Sequence, residues 1–73
     1  MQVKVANRMY RMSRNEFEGL LKVASEQIPF GIYAVSKGDY AELRCDQCKS
    51  KTELKRAKQN FKAQGFKVYA NGG

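Results

Sequence analysis

The chain of 73 residues contains no histidine and no tryptophan, and it has only one proline and two cysteines. Without histidine, the side chain that most often acts as a general acid or base near neutral pH is missing. The seven carboxylates include no pair at a spacing typical of acid–base catalysis, and no nucleophile motif is present. We therefore predict that the protein is not an enzyme and needs no cofactor.

Long apolar runs are also missing. No segment approaches the roughly 20 apolar residues that a membrane-spanning helix needs, and no signal-peptide core follows Met1. We therefore expect a cytoplasmic protein with no membrane partner. The length predicts one compact domain over residues 1–73, with 71–73 as a frayed tail. A core this small is marginal alone, so a homodimer is a secondary prediction.

The two cysteines form a CxxC pair, Cys45 and Cys48, in the stretch LRCDQCKSKTEL. A structural zinc site takes four ligands, usually Cys or His, so one chain cannot complete it. A dimer that pools two pairs is one alternative, and a redox pair at a helix N-terminus is another. Because Ser50 is the expected N-cap, both cysteines precede the helix. We predict no metal or redox role and keep an inter-subunit site at Cys45 and Cys48 as the less favoured alternative.

Two capping boxes mark the helices. In SRNE, Ser13 and Glu16 can satisfy each other's backbone amides. An apolar face at helical spacing follows, which predicts a helix over residues 14–27. This face consists of Phe17, Leu20, Leu21 and Ala24. In SKTE, Ser50 and Glu53 do the same for a second helix. Gly65 fits its left-handed C-terminal cap, with Phe66 placed to pack back on the helix.

The remaining segments alternate as strands do. Residues 2–12 predict either one bent strand or a small hairpin that turns at Ala6-Asn7-Arg8, and the hairpin is slightly favoured. Residues 30–45 predict two strands joined by a turn at 36–39, and residues 66–70 a last strand. The order β(β)αββαβ predicts an α+β protein with a single small sheet and both helices on one face, a ferredoxin-like or split βαβ arrangement.

What the chain has in excess is positive charge: 14 Lys and Arg against seven Asp and Glu, a formal net charge of +7. Such a field attracts nucleic acid or an acidic protein. On the second helix, lysines fall within a stripe about 60° wide at about 100° per residue. Evenly spaced lysines suit phosphate contacts with little base preference. The members of this lysine stripe are Lys51, Lys55, Lys58 and Lys62.

A second basic set, which we call the arginine set, lies near the start of the chain. Arg8, Arg11 and Arg14 surround Tyr10, with Lys4 nearby, and arginine beside an aromatic ring can stack on bases. We expect these residues and the lysine stripe to contact nucleic acid. Tyr33, Tyr40 and Tyr69 fall in strands, so one or two of them are expected on the uncovered face of the sheet.

The blocks FEGLLKVASEQIPFGIYAVSKG and KRAKQNFKAQGFKVYANG are similar to small uncharacterised proteins of Gram-positive bacteriophages and prophages. The resemblance implies the cytoplasm of a bacterial host cell and a role in redirecting host processes. It assigns no functional residue.

Two functions follow as hypotheses. The first is a non-enzymatic binding module that contacts the nucleic-acid backbone through the lysine stripe and the arginine set. The alternative is a phage-type interaction module that modulates a host protein, through the uncovered sheet face or an edge strand.

Overall fold

The computed structural model describes residues 1–72 of the chain. Seven elements follow one another in the order ββαββαβ, which is the predicted order with a hairpin at its start. They are β1 (Gln2–Val5), β2 (Arg8–Arg11), α1 (Arg14–Gln27), β3 (Gly31–Lys37), β4 (Tyr40–Gln47), α2 (Lys51–Ala63) and β5 (Lys67–Asn71).

The five strands form one mixed sheet in the order β2-β1-β4-β3-β5. Only β1 and β4 pair in parallel, and the other three neighbouring pairs are antiparallel. The β1–β2 hairpin therefore forms one end of the sheet, and β5 forms the other. The α+β class is the predicted one.

The helices lie on opposite faces of this sheet. Phe17 of α1 is buried in a cluster that includes Tyr69 of β5, with the two rings edge-to-face at 6.1 Å. Leu54 of α2 is buried in a second cluster that includes Val68, the residue before Tyr69. Successive residues of a strand point to opposite faces. The prediction that both helices share one face, as in a ferredoxin-like fold, is therefore wrong.

The strand order explains why. α1 connects β2 to the parallel strand β3, and α2 connects β4 to the parallel strand β5, with β3 between them in a split βαβ connection. Both connections move across the sheet in the same direction, but they start from strands that run in opposite directions. Right-handed crossovers then require opposite faces. We name each face after its helix, the α1 face or the α2 face.

Both helices begin where their capping boxes predict. The Ser13 and Ser50 side-chain oxygens accept from the Glu16 and Glu53 amides at 3.2 and 3.1 Å. The Glu53 carboxylate accepts from the Lys49 amide at 2.9 Å rather than from that of Ser50. The two serine bonds satisfy amides that the first turn leaves without a helical partner.

The end of α2 is a Schellman motif. Gly65 has a φ of +88°, its amide donates to the Lys62 carbonyl, and the Phe66 amide donates to the Phe61 carbonyl, both at 3.0 Å. The Phe61 and Phe66 rings pack edge-to-face with centroids 6.0 Å apart. Gly65 adopts the left-handed backbone conformation, and the packed aromatic pair stabilises the turn, as the sequence predicted.

The first segment is a hairpin with a two-residue turn. Ala6 and Asn7 have φ angles of +50° and +68°, as the two central residues of a type I′ turn require. Val5 and Arg8 face each other across it. The sequence favoured this hairpin over a single strand.

The chain end is tied down up to Asn71, which belongs to β5. Its side-chain amide donates to the Ser25 and Ile28 carbonyls at the end of α1, at 2.7 and 2.6 Å. The prediction of a frayed tail is wrong for Asn71, and its last residue, 73, lies outside the described residues. Within residues 1–72, no helix is both long and apolar enough to cross a membrane.

Candidate nucleic-acid interface

The lysine stripe lies along one side of α2 and lines a single shallow depression, so the structure brings the four predicted lysines together. Lys58 is half-buried, and the other three are exposed. The depression is lined by residues at helical spacing: Lys51, Leu54, Lys55, Lys58, Gln59 and Lys62. Leu54 is also the buried anchor of α2, with 2% of its surface exposed. The stripe therefore lies directly beside a residue of the hydrophobic core.

No carboxylate of the described residues forms an ion pair with the lysine stripe. In the described part of the chain, the ion pairs are those of Arg44 with Asp46 at 2.7 Å and with Glu42 at 3.8 Å. The only acidic residue of α2, Glu53, is held at the helix start by the Lys49 amide. Among residues 1–72, no anion is therefore paired with the stripe.

Like charges are neighbours along the stripe. Lys51 and Lys55 are four residues apart, Lys55 and Lys58 three, and Lys58 and Lys62 four. Each such pair destabilises a helix by about 0.2–0.5 kcal/mol. Three pairs sum to roughly 1 kcal/mol of self-repulsion at low salt, which a bound polyanion would relieve.

The arginine set is not one patch. Arg8 and Tyr10 alternate with Arg11 along β2, so they project from the α1 face and Arg11 projects from the α2 face. Arg14 is the first residue of α1. The predicted single cluster therefore divides, because it was assembled by proximity in sequence rather than by strand periodicity.

The arginine set and the lysine stripe also lie at opposite ends of the sheet. α2 packs on β3 and β5, whereas β2 is the first strand of the order β2-β1-β4-β3-β5. Four strand spacings separate β2 from β5, about 19 Å. The two basic regions are therefore separate surfaces.

The sheet has no wholly uncovered face, because each face carries a helix. Tyr33 and Tyr69 lie on the α1 face with ring centroids 6.3 Å apart, and both are half-buried. Tyr40 lies on the α2 face, and its hydroxyl donates to the Glu42 carboxylate at 3.3 Å. Partial burial raises the pKa of Tyr40, and the charge of Glu42 adds to the rise. Tyr10 is the most exposed of the four tyrosines, with 45% of its surface accessible to solvent.

The two cysteine side chains lie on different sides of the sheet. Cys45 is exposed on the α1 face, in a groove that Leu20 and Val23 of α1 also line. Cys48 packs into the cluster around Leu54 on the α2 face. Burial raises the pKa of the Cys48 thiol, and the charges of Glu53 and Asp46 raise it further. One chain therefore does not present Cys45 and Cys48 as a joint pair of thiolates.

Within residues 1–72, no group of three or more His, Cys, Asp or Glu side chains is arranged to hold a metal ion. An inter-subunit site at Cys45 and Cys48 would thus need the partner chain, and the burial of Cys48 makes it the harder ligand to supply.

Sequence reasoning missed the apolar groove between α1 and the hairpin. Leu20 and Val23 are 36% and 52% exposed, although helical spacing placed Leu20 with the core. The other side of the groove is lined by residues of the hairpin and of β4, whose position beside α1 no pattern within the helix predicts.

Comparison of the chain with protein-family models, curated proteins and solved structures finds no match.

Proposed function

We propose that the protein is a small, non-enzymatic nucleic-acid-binding module of the cytoplasm, and that the lysine stripe contacts the phosphate backbone. The observation that carries the proposal is the row of like charges on α2. Four lysines line one depression with no carboxylate within ion-pair distance in the described residues. A helix face that serves only solubility can mix charges of both signs, which stabilises it instead of straining it.

The dimensions of the stripe suit a nucleic-acid strand. From Lys51 to Lys62 the helix rises about 16 Å, at 1.5 Å per residue. A strand of duplex DNA carries one phosphate per about 3.4 Å of its axis, so the stripe spans about five phosphates. Flexible ammonium groups on four-carbon stems can adjust to that spacing.

The chemistry of the stripe favours binding without base recognition. Lysine offers a point charge and rotatable donors, whereas base reading uses side chains such as Arg, Asn and Gln that pair bidentately with base edges. Gln59 is the only side chain of that kind in the depression. We therefore expect little discrimination between sequences and a strong dependence on salt.

Charge reversal tests the proposal. The double variant Lys55→Glu, Lys58→Glu should lower the affinity for a 20-nucleotide single strand and a 20-base-pair duplex at least about 30-fold at low salt, because two contacts become repulsions. The measurement is fluorescence anisotropy with labelled DNA and RNA.

A matched control separates the stripe from the net charge. The variant Lys22→Glu, Arg56→Glu changes the total charge equally, but Lys22 is exposed on α1 and Arg56 lies on another side of α2. Its affinity should fall less than about threefold. Equal losses in both variants would reduce the effect to net charge, and the absence of binding to every oligonucleotide at low salt would refute the proposal.

A further inference from the structure

The free side of β2, at the other end of the sheet from the lysine stripe, has features of a peptide-binding edge. The sheet has two edge strands, β2 and β5. All four residues of β2 are exposed, whereas β5 is largely half-buried and held to α1 through Asn71. We call the free side of β2 the hairpin edge.

The backbone register defines which groups of the hairpin edge are free. Met1 and Met12 exchange two hydrogen bonds, at 2.9 and 3.1 Å, so they form a hydrogen-bonded pair. Bonded and non-bonded pairs alternate in an antiparallel ladder, which makes Tyr10 and Arg8 bonded to β1 as well. The N–H and C=O groups of Met9 and Arg11 therefore point away from the sheet, at the spacing that another strand would need.

Charge at the hairpin edge has one sign. The first acidic residue of the chain is Glu16, so β1, β2 and their turn carry Lys4, Arg8 and Arg11 with no carboxylate of their own. None of these three makes an ion pair within the described residues. Glu42 is the register neighbour of Lys4 on β4, but Glu42 is within 3.8 Å of Arg44.

The charges of the hairpin edge lie on both faces. Arg8 projects from the α1 face with Tyr10, and Arg11 projects from the α2 face with Met9. A rigid duplex laid on one face would reach only one of the arginines, and phosphates cannot donate to the free carbonyls. An added β-strand presents its own side chains to both faces and also pairs with the free backbone groups.

We propose that the hairpin edge binds an extended acidic peptide segment of a partner protein, which adds to the sheet as a sixth strand beside β2. In antiparallel pairing, acidic residues three positions apart would meet Arg11 and Arg8. The residue between them that faces Tyr10 would be apolar and β-branched, since aromatic and β-branched side chains make favourable cross-strand pairs. The exposed side chain of Met9 would contact the next residue of the peptide, on the α2 face.

A designed octapeptide provides the test. Its sequence is Thr-Val-Glu-Ile-Thr-Glu-Val-Thr with blocked ends, so that the two glutamates meet Arg11 and Arg8 and the isoleucine meets Tyr10. We expect saturable binding by fluorescence anisotropy. In hydrogen exchange followed by NMR, the amides of Met9 and Arg11 should gain at least fivefold protection, because they become hydrogen-bonded.

Two altered peptides separate backbone pairing from charge. N-methylation of the central threonine, which faces Met9, removes one backbone donor without changing charge and should weaken binding at least about fivefold. Replacement of both glutamates by lysine should weaken it at least tenfold. Equal binding of the parent and N-methyl peptides would overturn the proposal.

Protein variants complete the test and keep it independent of the lysine stripe. Met9→Pro removes the outward amide at an edge position that tolerates proline, and it should weaken binding at least fivefold, whereas Met9→Ala should not. The stripe variant Lys55→Glu, Lys58→Glu should bind the peptide within about threefold of the parent. If a 20-nucleotide strand perturbs the Arg8–Arg11 amides and the octapeptide does not, the edge belongs to nucleic acid and the proposal fails.

Discussion

The lysine stripe and the hairpin edge are both basic, but they are built differently. The stripe uses helical periodicity to collect four charges on one side of α2, above the buried Leu54. The edge uses strand periodicity, which divides Arg8 and Arg11 between two faces. A one-sided row suits the repeating phosphates of a nucleic acid, and a two-sided edge suits another strand. Two regions with the same sign of charge can therefore suit different classes of partner.

Packing distinguishes these regions most strongly, and Leu54→Ala should have the largest effect. Leu54 is 2% exposed, and its truncation should lower the free energy of unfolding by about 3 kcal/mol through lost burial and the cavity left behind. Met9→Ala at the hairpin edge, where Met9 is 52% exposed, should change it by less than about 0.5 kcal/mol. Urea denaturation followed by circular dichroism measures both, and similar losses would contradict the contrast.

The assignment of the two faces can be checked through the cysteines. Alkylation requires the thiolate, and burial raises the pKa of Cys48, so this thiol should react slowly at pH 8. We expect iodoacetamide to modify the exposed Cys45 at least tenfold faster, as mass spectrometry of Cys45→Ser and Cys48→Ser variants would show. Faster modification of Cys48 would contradict its place in the α2-face cluster.

Substitutions in the turn after α2 and in the hairpin turn should change the stability of the protein in opposite directions. Gly65→Ala places a side chain at a φ of +88°, and this should destabilise the end of α2 by about 1 kcal/mol. Ala6→Gly relieves the same restriction at a φ of +50° and should stabilise the hairpin by up to about 1 kcal/mol. Thermal denaturation of both variants measures the pair, and a stabilising Gly65→Ala would contradict the Schellman geometry.

The smallest expected effect concerns self-repulsion in the stripe. Lys55→Gln removes two like-charge neighbour pairs, so it should raise the free energy of unfolding by about 0.4–1 kcal/mol at 20 mM salt and by much less at 1 M. Lys22→Gln on α1 is the control. Lys22 has Glu18 and Glu26 four residues away, so its removal should lower the free energy of unfolding at 20 mM salt and change it much less at 1 M. If the two variants behave alike, the lysines do not repel one another enough to support the argument for a polyanion.

Local signals in the sequence predicted local structure well. The N-caps at Ser13 and Ser50, the Gly65 cap and the preference for a hairpin at residues 2–12 agree with the structure, because each depends on residues a few positions apart. The predicted return bonds of the two capping boxes are wrong, since the Glu53 carboxylate accepts from the Lys49 amide and the Glu16 carboxylate accepts from the Ser13 hydroxyl. The lysine stripe was predictable for the same reason, since the periodicity of one helix determines it.

Features that depend on strand order were not predictable in this way. The placement of the helices on opposite faces follows from the direction in which β2 and β4 run, and no short pattern encodes that direction. The exposure of Leu20 follows from the same topology. The separation of Arg8 from Arg11 follows instead from strand periodicity, since residues three positions apart in one strand point to opposite faces. Periodicity predicts which residues share a face of one helix or strand. The strand order of the sheet determines which other elements pack against that face.

The most direct test of the central claim is the salt dependence of oligonucleotide binding. For four phosphate contacts, the slope of log K against log salt should be about −2.8 for a single strand and about −3.6 for a duplex. Lys55→Ala, Lys58→Ala removes two contacts, so each slope should fall to about half. Arg8→Ala, Arg11→Ala at the hairpin edge should leave both slopes within about 0.5 of the parent values. An unchanged slope in the lysine variant, with a halved slope in the arginine variant, would contradict the assignment of the lysine stripe as the nucleic-acid surface.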